Sequence, residues 1–244
     1  MLFSLDQAPC NRPLILSEIN DAILSDRLAR MGIYAGDSLM RLDEEVHLVP
    51  VRIHGPRGHV VLAGGMAAKV IVHHDDGHKT PVLEMLPGET GHVEGLVCGS
   101  SLAEGLEILG IRENDNLRME HRVPPMNYHI RMGNDHFKLT EGMATKIWGE
   151  MEGRELQFAM AGRGKPFLVK QLIGGSRALS MLDGFSIAPG KTLFLEAVTP
   201  AQPIGHGGRN QVVVGMKTGL RLYLRPDQAL RIRVILNQEA SDAS

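Results

Sequence analysis

The densest group of side chains able to do chemistry is His73-His74-Asp75-Asp76-Gly77-His78. Imidazole nitrogens and carboxylate oxygens are the ligands that zinc, iron and nickel take. That makes His73, His74 and His78 the candidate metal ligands, for Fe(II) or another divalent transition ion. In an extended segment neighbouring side chains point to opposite faces, so His73 and His74 meet at one ion only if a turn intervenes. A solvated linker is the plainer reading of the run. His59 and His136 occupy equivalent places in a repeat described below, each after a turn residue (Gly58, Asp135), and read as surface histidines. Cys10 and Cys98 have no thiol partner nearby in sequence and read as ordinary thiols.

Other strings are less specific. Gly162-Arg163-Gly164-Lys165 and Gly205-His206-Gly207-Gly208-Arg209 lack the spacing of a phosphate-binding loop. A β-turn explains the first and a loop the second. Arg221, Arg225, Arg231 and Arg233 make a basic stripe on two successive strands, as a solvated sheet face would; an acidic or nucleic-acid partner is the minority reading. With 26 basic and 28 acidic residues the net charge is -2, so nucleic-acid binding is not expected. No nucleophile with its base, no supported carboxylate pair and no cofactor fingerprint stands out, and the expectation is a protein that is not an enzyme.

The elements that would carry these groups are short. Among 244 residues, 28 are glycine and only 4% are aromatic, a composition that favours turns and brief strands. Two cysteines are too few for a disulfide framework and suit a reducing compartment. Met1 to Asp6 does not read as a signal peptide, and the longest apolar stretch, Val60 to Val72, is broken by Lys69. A cytoplasmic protein without membrane insertion is expected.

The chain repeats itself. Gly65-Met66-Ala67-x-Lys69 recurs as Gly142-Met143-Ala144-x-Lys146, and residues 50–73 against 127–150 share seven identities in 24 positions. About one or two would arise by chance. Upstream, a shift of 78 pairs Leu28/Leu106, Gly32/Gly110, Ile33/Ile111, Asp37/Asp115 and Leu39/Leu117. A third, more diverged copy places Leu182, Ile187 and Leu193 opposite Leu106, Ile111 and Leu117. It places Leu224, Ala229 and Ile232 opposite Leu139, Ala144 and Ile147 after an insertion near 199–211. The expected units are 1–78, 79–152 and 153–238, followed by a polar tail, 239–244.

The second copy reads as five short strands and one helix. A capping box formed by Ser101 and Glu104 starts the helix, and Gly110 stops it. Glu141 to Ala144 makes a tight corner before the last strand. The first copy puts its helix at Arg27 to Met31, and in the third Leu220, Leu222 and Leu224 alternate with Arg221, Tyr223 and Arg225 as a half-buried strand. The fold class is mainly β: three tandem small SH3-like barrels, each with one short helix.

These residues resemble the FeoA family, the small protein A of bacterial ferrous iron transport. The family's helix-ending step and following turn are matched by Leu28-Ala29-Arg30-Met31-Gly32-Ile33-Tyr34-Ala35-Gly36 and by Leu106-Glu107-Ile108-Leu109-Gly110-Ile111. Its corner and last strand are matched by Gly65–Val72 and Gly142–Trp148. The third copy departs at Met181-Leu182-Asp183-Gly184-Phe185 and returns at Ile187-Ala188-Pro189-Gly190. The fold is also similar to the carboxy-terminal domain of iron-dependent repressors, without a helix-turn-helix to bind DNA. The resemblance implies a module that regulates or supports ferrous iron transport by protein–protein interaction. Its implied partner is the FeoB membrane transporter; the alternative is a transition-metal sensor or carrier. The helix region, with Leu28, Met31, Leu106 and Leu109, is the expected interaction surface, and a homo-oligomer stays open.

Overall fold

The computed structural model describes residues 2–201 and 211–237, and every strand pairing in it is antiparallel. Each repeat carries the same order of elements in two halves. Residues 1–78 hold β1 (Leu2–Ser4), β2 (Pro13–Ile19), α1 (Ala22–Arg30) and β3 (Ser38–Leu42). They continue with β4 (Val51–Gly55), β5 (Gly58–Leu62), α2 (Gly64–Ala67) and β6 (Val70–His73). Residues 79–152 hold β7 (Lys79–Pro81), β8 (Thr90–Leu96), α3 (Ser100–Ile108) and β9 (Asn116–Arg122). Then come β10 (Met126–Met132), β11 (Asp135–Thr140), α4 (Glu141–Ala144) and β12 (Ile147–Met151). Residues 153–238 hold β13 (Arg154–Gln157), a 3-10 turn (Phe158–Met160), β14 (Pro166–Leu172), α5 (Ser176–Asp183) and β15 (Thr192–Pro200). The last elements are β16 (Val212–Met216), β17 (Arg221–Leu224), α6 (Pro226–Ala229) and β18 (Ile232–Leu236). Among the described residues each repeat therefore has six strands, one more than its pattern predicts, and the expected corner is a four-residue helix. Most of the expected insertion, residues 202–210 with Gly205 to Arg209, lies outside the described residues, as does the tail 239–244.

Local signals explain the helices in part. α1 starts at Ala22, five residues ahead of Arg27, because the Asp21 carboxylate accepts from the Leu24 N–H at 3.0 Å and caps it. The Ser101–Glu104 capping box is not made: α3 starts at Ser100 after Gly99, with no side-chain cap. The helix stops are shared. Ile33, Ile111 and Ile187 donate their N–H groups to Leu28, Leu106 and Leu182 carbonyls at 2.9, 2.9 and 3.1 Å. This closure needs a left-handed residue just before, supplied by Gly32 (φ 80°), Gly110 (φ 74°) and, in the diverged copy, Ser186 (φ 56°).

The sheets do not coincide with the repeats. Sheet I has the order β1-β18-β2-β3-β16-β17, sheet II β5-β4-β9-β8-β6-β7 and sheet III β11-β10-β15-β14-β12-β13. The front half of each repeat pairs with the back half of the repeat before it, and the first front half is completed by the chain's last three strands. One barrel per contiguous stretch (1–78, 79–152, 153–238) is thus corrected: sheet II spans residues 51–122 and sheet III 126–200. The linker between β9 and β10 supplies a reason. It is only Val123-Pro124-Pro125, and a residue before proline is held extended, so the chain cannot fold tightly back onto β9.

The three sheets are alike residue by residue. Val97, Ile173 and Asn20 donate to the carbonyls of Lys69, Lys146 and Arg231 at 2.8, 2.7 and 2.7 Å. A β-bulge recurs at Ile71/Val72, Trp148/Gly149 and Arg233/Val234. Each sheet has its own apolar cluster, but the clusters cross the seams: Tyr223 and Val213 of sheet I, and Trp148 and Ile173 of sheet III, join the core of sheet II.

Candidate functional site

His73 ends β6, opposite His92 on β8 and opposite Lys79 on β7. Residues facing each other across antiparallel strands project from the same face, as do residues two apart on one strand. His73, His92 and Glu94 therefore gather on one side of sheet II. Their ligand atoms all lie within 4.8 Å of one another, as in no other group of three or more His, Cys, Asp or Glu residues among those described. Glu94 Oε2 lies 3.4 Å from His73 Nδ1 and 3.7 Å from His92 Nε2, and Glu94 Oε1 accepts from the Lys79 ammonium at 2.6 Å. Burial alone would raise the pKa of Glu94, but the hydrogen bond and charge of Lys79, with the two imidazoles, bring it below the ordinary value. The Lys79 ammonium also donates to the Met31 carbonyl at 3.3 Å, reaching across the seam to sheet I. Lys79 and Met31 both line a cleft of about 240 Å³ at that seam.

The expected set is not brought together. His74, next to His73, is buried; its Nε2 lies 2.9 Å from Thr80 Oγ1, and its ring stacks on His78 at 4.0 Å. His78 Nδ1 in turn contacts the Asp76 carboxylate. Of His73, His74 and His78, only His73 joins the cluster, and His92 and Glu94 were missed. Their i, i+2 spacing on a strand was visible, but the pairing of β6 with β8 was not. His59 and His136 repeat a simpler arrangement, with carboxylates of Glu120 at 2.8 Å and Glu196 at 3.0 Å.

The expected interaction residues are core residues. Leu28, Met31, Leu106 and Leu109 are at most 3% exposed and cannot meet a partner without unfolding. The seams are where these helices do work. Arg27 of α1 donates to the Cys98 carbonyl, with Cys98 Sγ at 3.2 Å, and Met31 packs where Gly95 leaves no Cβ. Burial raises the Cys98 thiol pKa, with Arg27 opposing. In α3, a Cβ on Gly105 would meet Ile173 of sheet III at 2.5 Å.

Edge strands complete both seams. The Gln157 side chain of sheet III accepts from Val61 N–H at 2.7 Å and donates to the Val61 and Thr145 carbonyls at 2.9 and 2.7 Å, closing the edge of β5. Lys69 of sheet II donates to the Tyr223 carbonyl of β17 and lies 3.3 Å from Gln228 Oε1. Burial holds Lys69 down at about 7, with nearby Arg225 adding to the shift. Among the described residues the third equivalent seam is not closed. Lys138 on β11, the counterpart of buried Val61 and Tyr223, is exposed, and Leu230, the counterpart of buried Ala68 and Thr145, is 55% exposed.

The arginine stripe is largely neutralised: Arg221 meets Glu44, Arg225 meets Asp227 at 2.7 Å, and Arg231 meets Asp21 at 3.0 Å. Gly162 to Lys165 is a turn, with the Gly164 N–H bound to the Leu195 carbonyl at 2.8 Å as Gly88 is to Met119. No helix among the described residues is long and apolar enough to cross a membrane.

Residues 80–151 match the FeoA domain. The stretch is the second repeat, and its two halves lie in different sheets, β7–β9 in sheet II and β10–β12 in sheet III. No curated protein and no solved structure shows a significant match to the chain. The FeoA domain suggests involvement in ferrous iron transport, and its family is one of accessory domains without catalytic activity.

Proposed function

We propose that this chain is a non-enzymatic, FeoA-like cytoplasmic protein that supports or regulates ferrous iron transport by binding the cytosolic part of an FeoB-type transporter. The FeoA match over residues 80–151 supports the process. The observation that carries the interaction is the unequal use of three equivalent faces. Two are filled by the chain's own edge strands and helices, where Val61 and Tyr223 are buried. The third presents exposed Lys138 on one side, and Leu230 with partly or largely exposed Arg231 and Ile235 on the other. Surfaces equivalent to those that elsewhere receive a β-edge and a helix, without either among the described residues, are suited to a protein partner.

The test is direct binding of the purified full chain to the cytosolic GTP-binding part of an FeoB-type transporter, anaerobically with ferrous iron. Binding that is lost on Leu230→Asp, with the far-ultraviolet circular dichroism unchanged, is the expected result. Failure of the unaltered chain to bind any transporter component overturns the reading.

A further inference from the structure

The geometry points to a divalent transition-ion site at His73, His92 and Glu94, on the outer face of sheet II. An ion held at about 2.0–2.2 Å from nitrogen and oxygen ligands needs its ligand atoms about 3–3.5 Å apart. The Glu94 Oε2 separations of 3.4 and 3.7 Å are close to that, and all three ligand atoms lie within 4.8 Å of one another, so side-chain rotations of about an ångström would close the set. Lys79 holds Oε1 at 2.6 Å and leaves Oε2 facing the two imidazoles, orienting the carboxylate as hydrogen-bonded partners of metal ligands do. Two imidazoles and one carboxylate, with further positions left to water, suit Fe(II), Co(II), Ni(II) or Zn(II) and not the oxygen-seeking Ca(II) or Mg(II). The Lys79 charge keeps the affinity modest.

The molecule carries its own controls. The same register in sheet III puts Glu150, Leu168 and Lys170 where sheet II has His73, His92 and Glu94, and there Lys170 pairs with Glu150 at 3.0 Å. In sheet I the positions hold Ile235, Ile15 and Ser17. The fold thus accepts an ion pair or plain aliphatic residues at this place, and the His-His-Glu set serves no structural need common to the sheets. Its location next to the Lys79–Met31 bond ties it to the seam between sheets I and II. The site does not rest on the partner proposed above, since metal binding and transporter binding are measured separately.

The experiment titrates Co(II) into the metal-free full chain anaerobically, following d–d absorption and heat. One equivalent per chain is expected. His92→Leu and His73→Ile, which install residues the other two sheets already carry, should each weaken binding by at least about tenfold. His78→Ala should leave it unchanged. No stoichiometric Co(II) binding by the unaltered chain, or binding that survives His92→Leu but is lost in His78→Ala, overturns the assignment.

Discussion

Gln157 offers the most direct test of how the sheets are joined. Its side-chain amide is fully buried and takes the place of a strand along the outer edge of β5, serving both the N–H and the C=O of Val61. Gln157→Ala would leave those two groups without partners, and a buried unsatisfied polar group costs about 1–3 kcal/mol. The loss of the Thr145 contact adds to this, while water entering the truncated site offsets part of it; about 3 kcal/mol is the expected net. Against a urea dependence of about 1–3 kcal/mol per molar, that lowers the unfolding midpoint by roughly 1–3 M. The probe is built in. Trp148, the only tryptophan, is 7% exposed and pairs directly with Gln157 across β12 and β13. Its fluorescence should red-shift at lower urea than the circular dichroism changes, because the seam opens before the sheets do. Gln157→Glu should fare little better, since a carboxylate would face two carbonyls. A loss under about 0.5 kcal/mol, the range of ordinary surface substitutions, with Trp148 emission unchanged, would refute the reasoning.

Two further outcomes follow from the same seams. A fragment of residues 51–122 keeps every pairing of sheet II and should melt cooperatively, below the full chain, whereas 79–152 splits its strands between two sheets and should not. Calorimetry on both fragments decides, and a monomeric 79–152 melting as high as the full chain would contradict the topology. Lys69 should make stability rise with pH. Its folded pKa of about 7 lies below the ordinary 10.5, so between those values the unfolded chain binds more protons. From pH 7 to 9 the unaltered chain should gain about 2 kcal/mol more than Lys69→Met in urea unfolding, and parallel slopes would exclude this.

Much of the local structure was legible. Leu28-to-Ile33 and Leu106-to-Ile111 announce a helix and its stop because the closing hydrogen bond spans only five residues. The strand around Leu222 and Leu224 was equally plain. Its alternation, however, predicts Tyr223 on the wet face, and Tyr223 is 5% exposed because β17 lies against sheet II. The helix residues Leu28, Met31, Leu106 and Leu109 show the opposite error: their repetition marks a shared core and not a shared surface.

By itself, then, the sequence determined the repeat, the period of each strand, the turns and the mainly β class, all of which depend on neighbours a few residues apart. Only the tertiary structure decided which halves pair, and with that which side chains meet. Three similar back halves can each complete any front half, so no local pattern distinguishes the partners. Between β9 and β10 the three-residue Val123-Pro124-Pro125 linker favours the observed pairing over one of β9 with β10. That choice brings His73 to His92 and Glu94 and separates it from His74 and His78, the residues beside it in the chain.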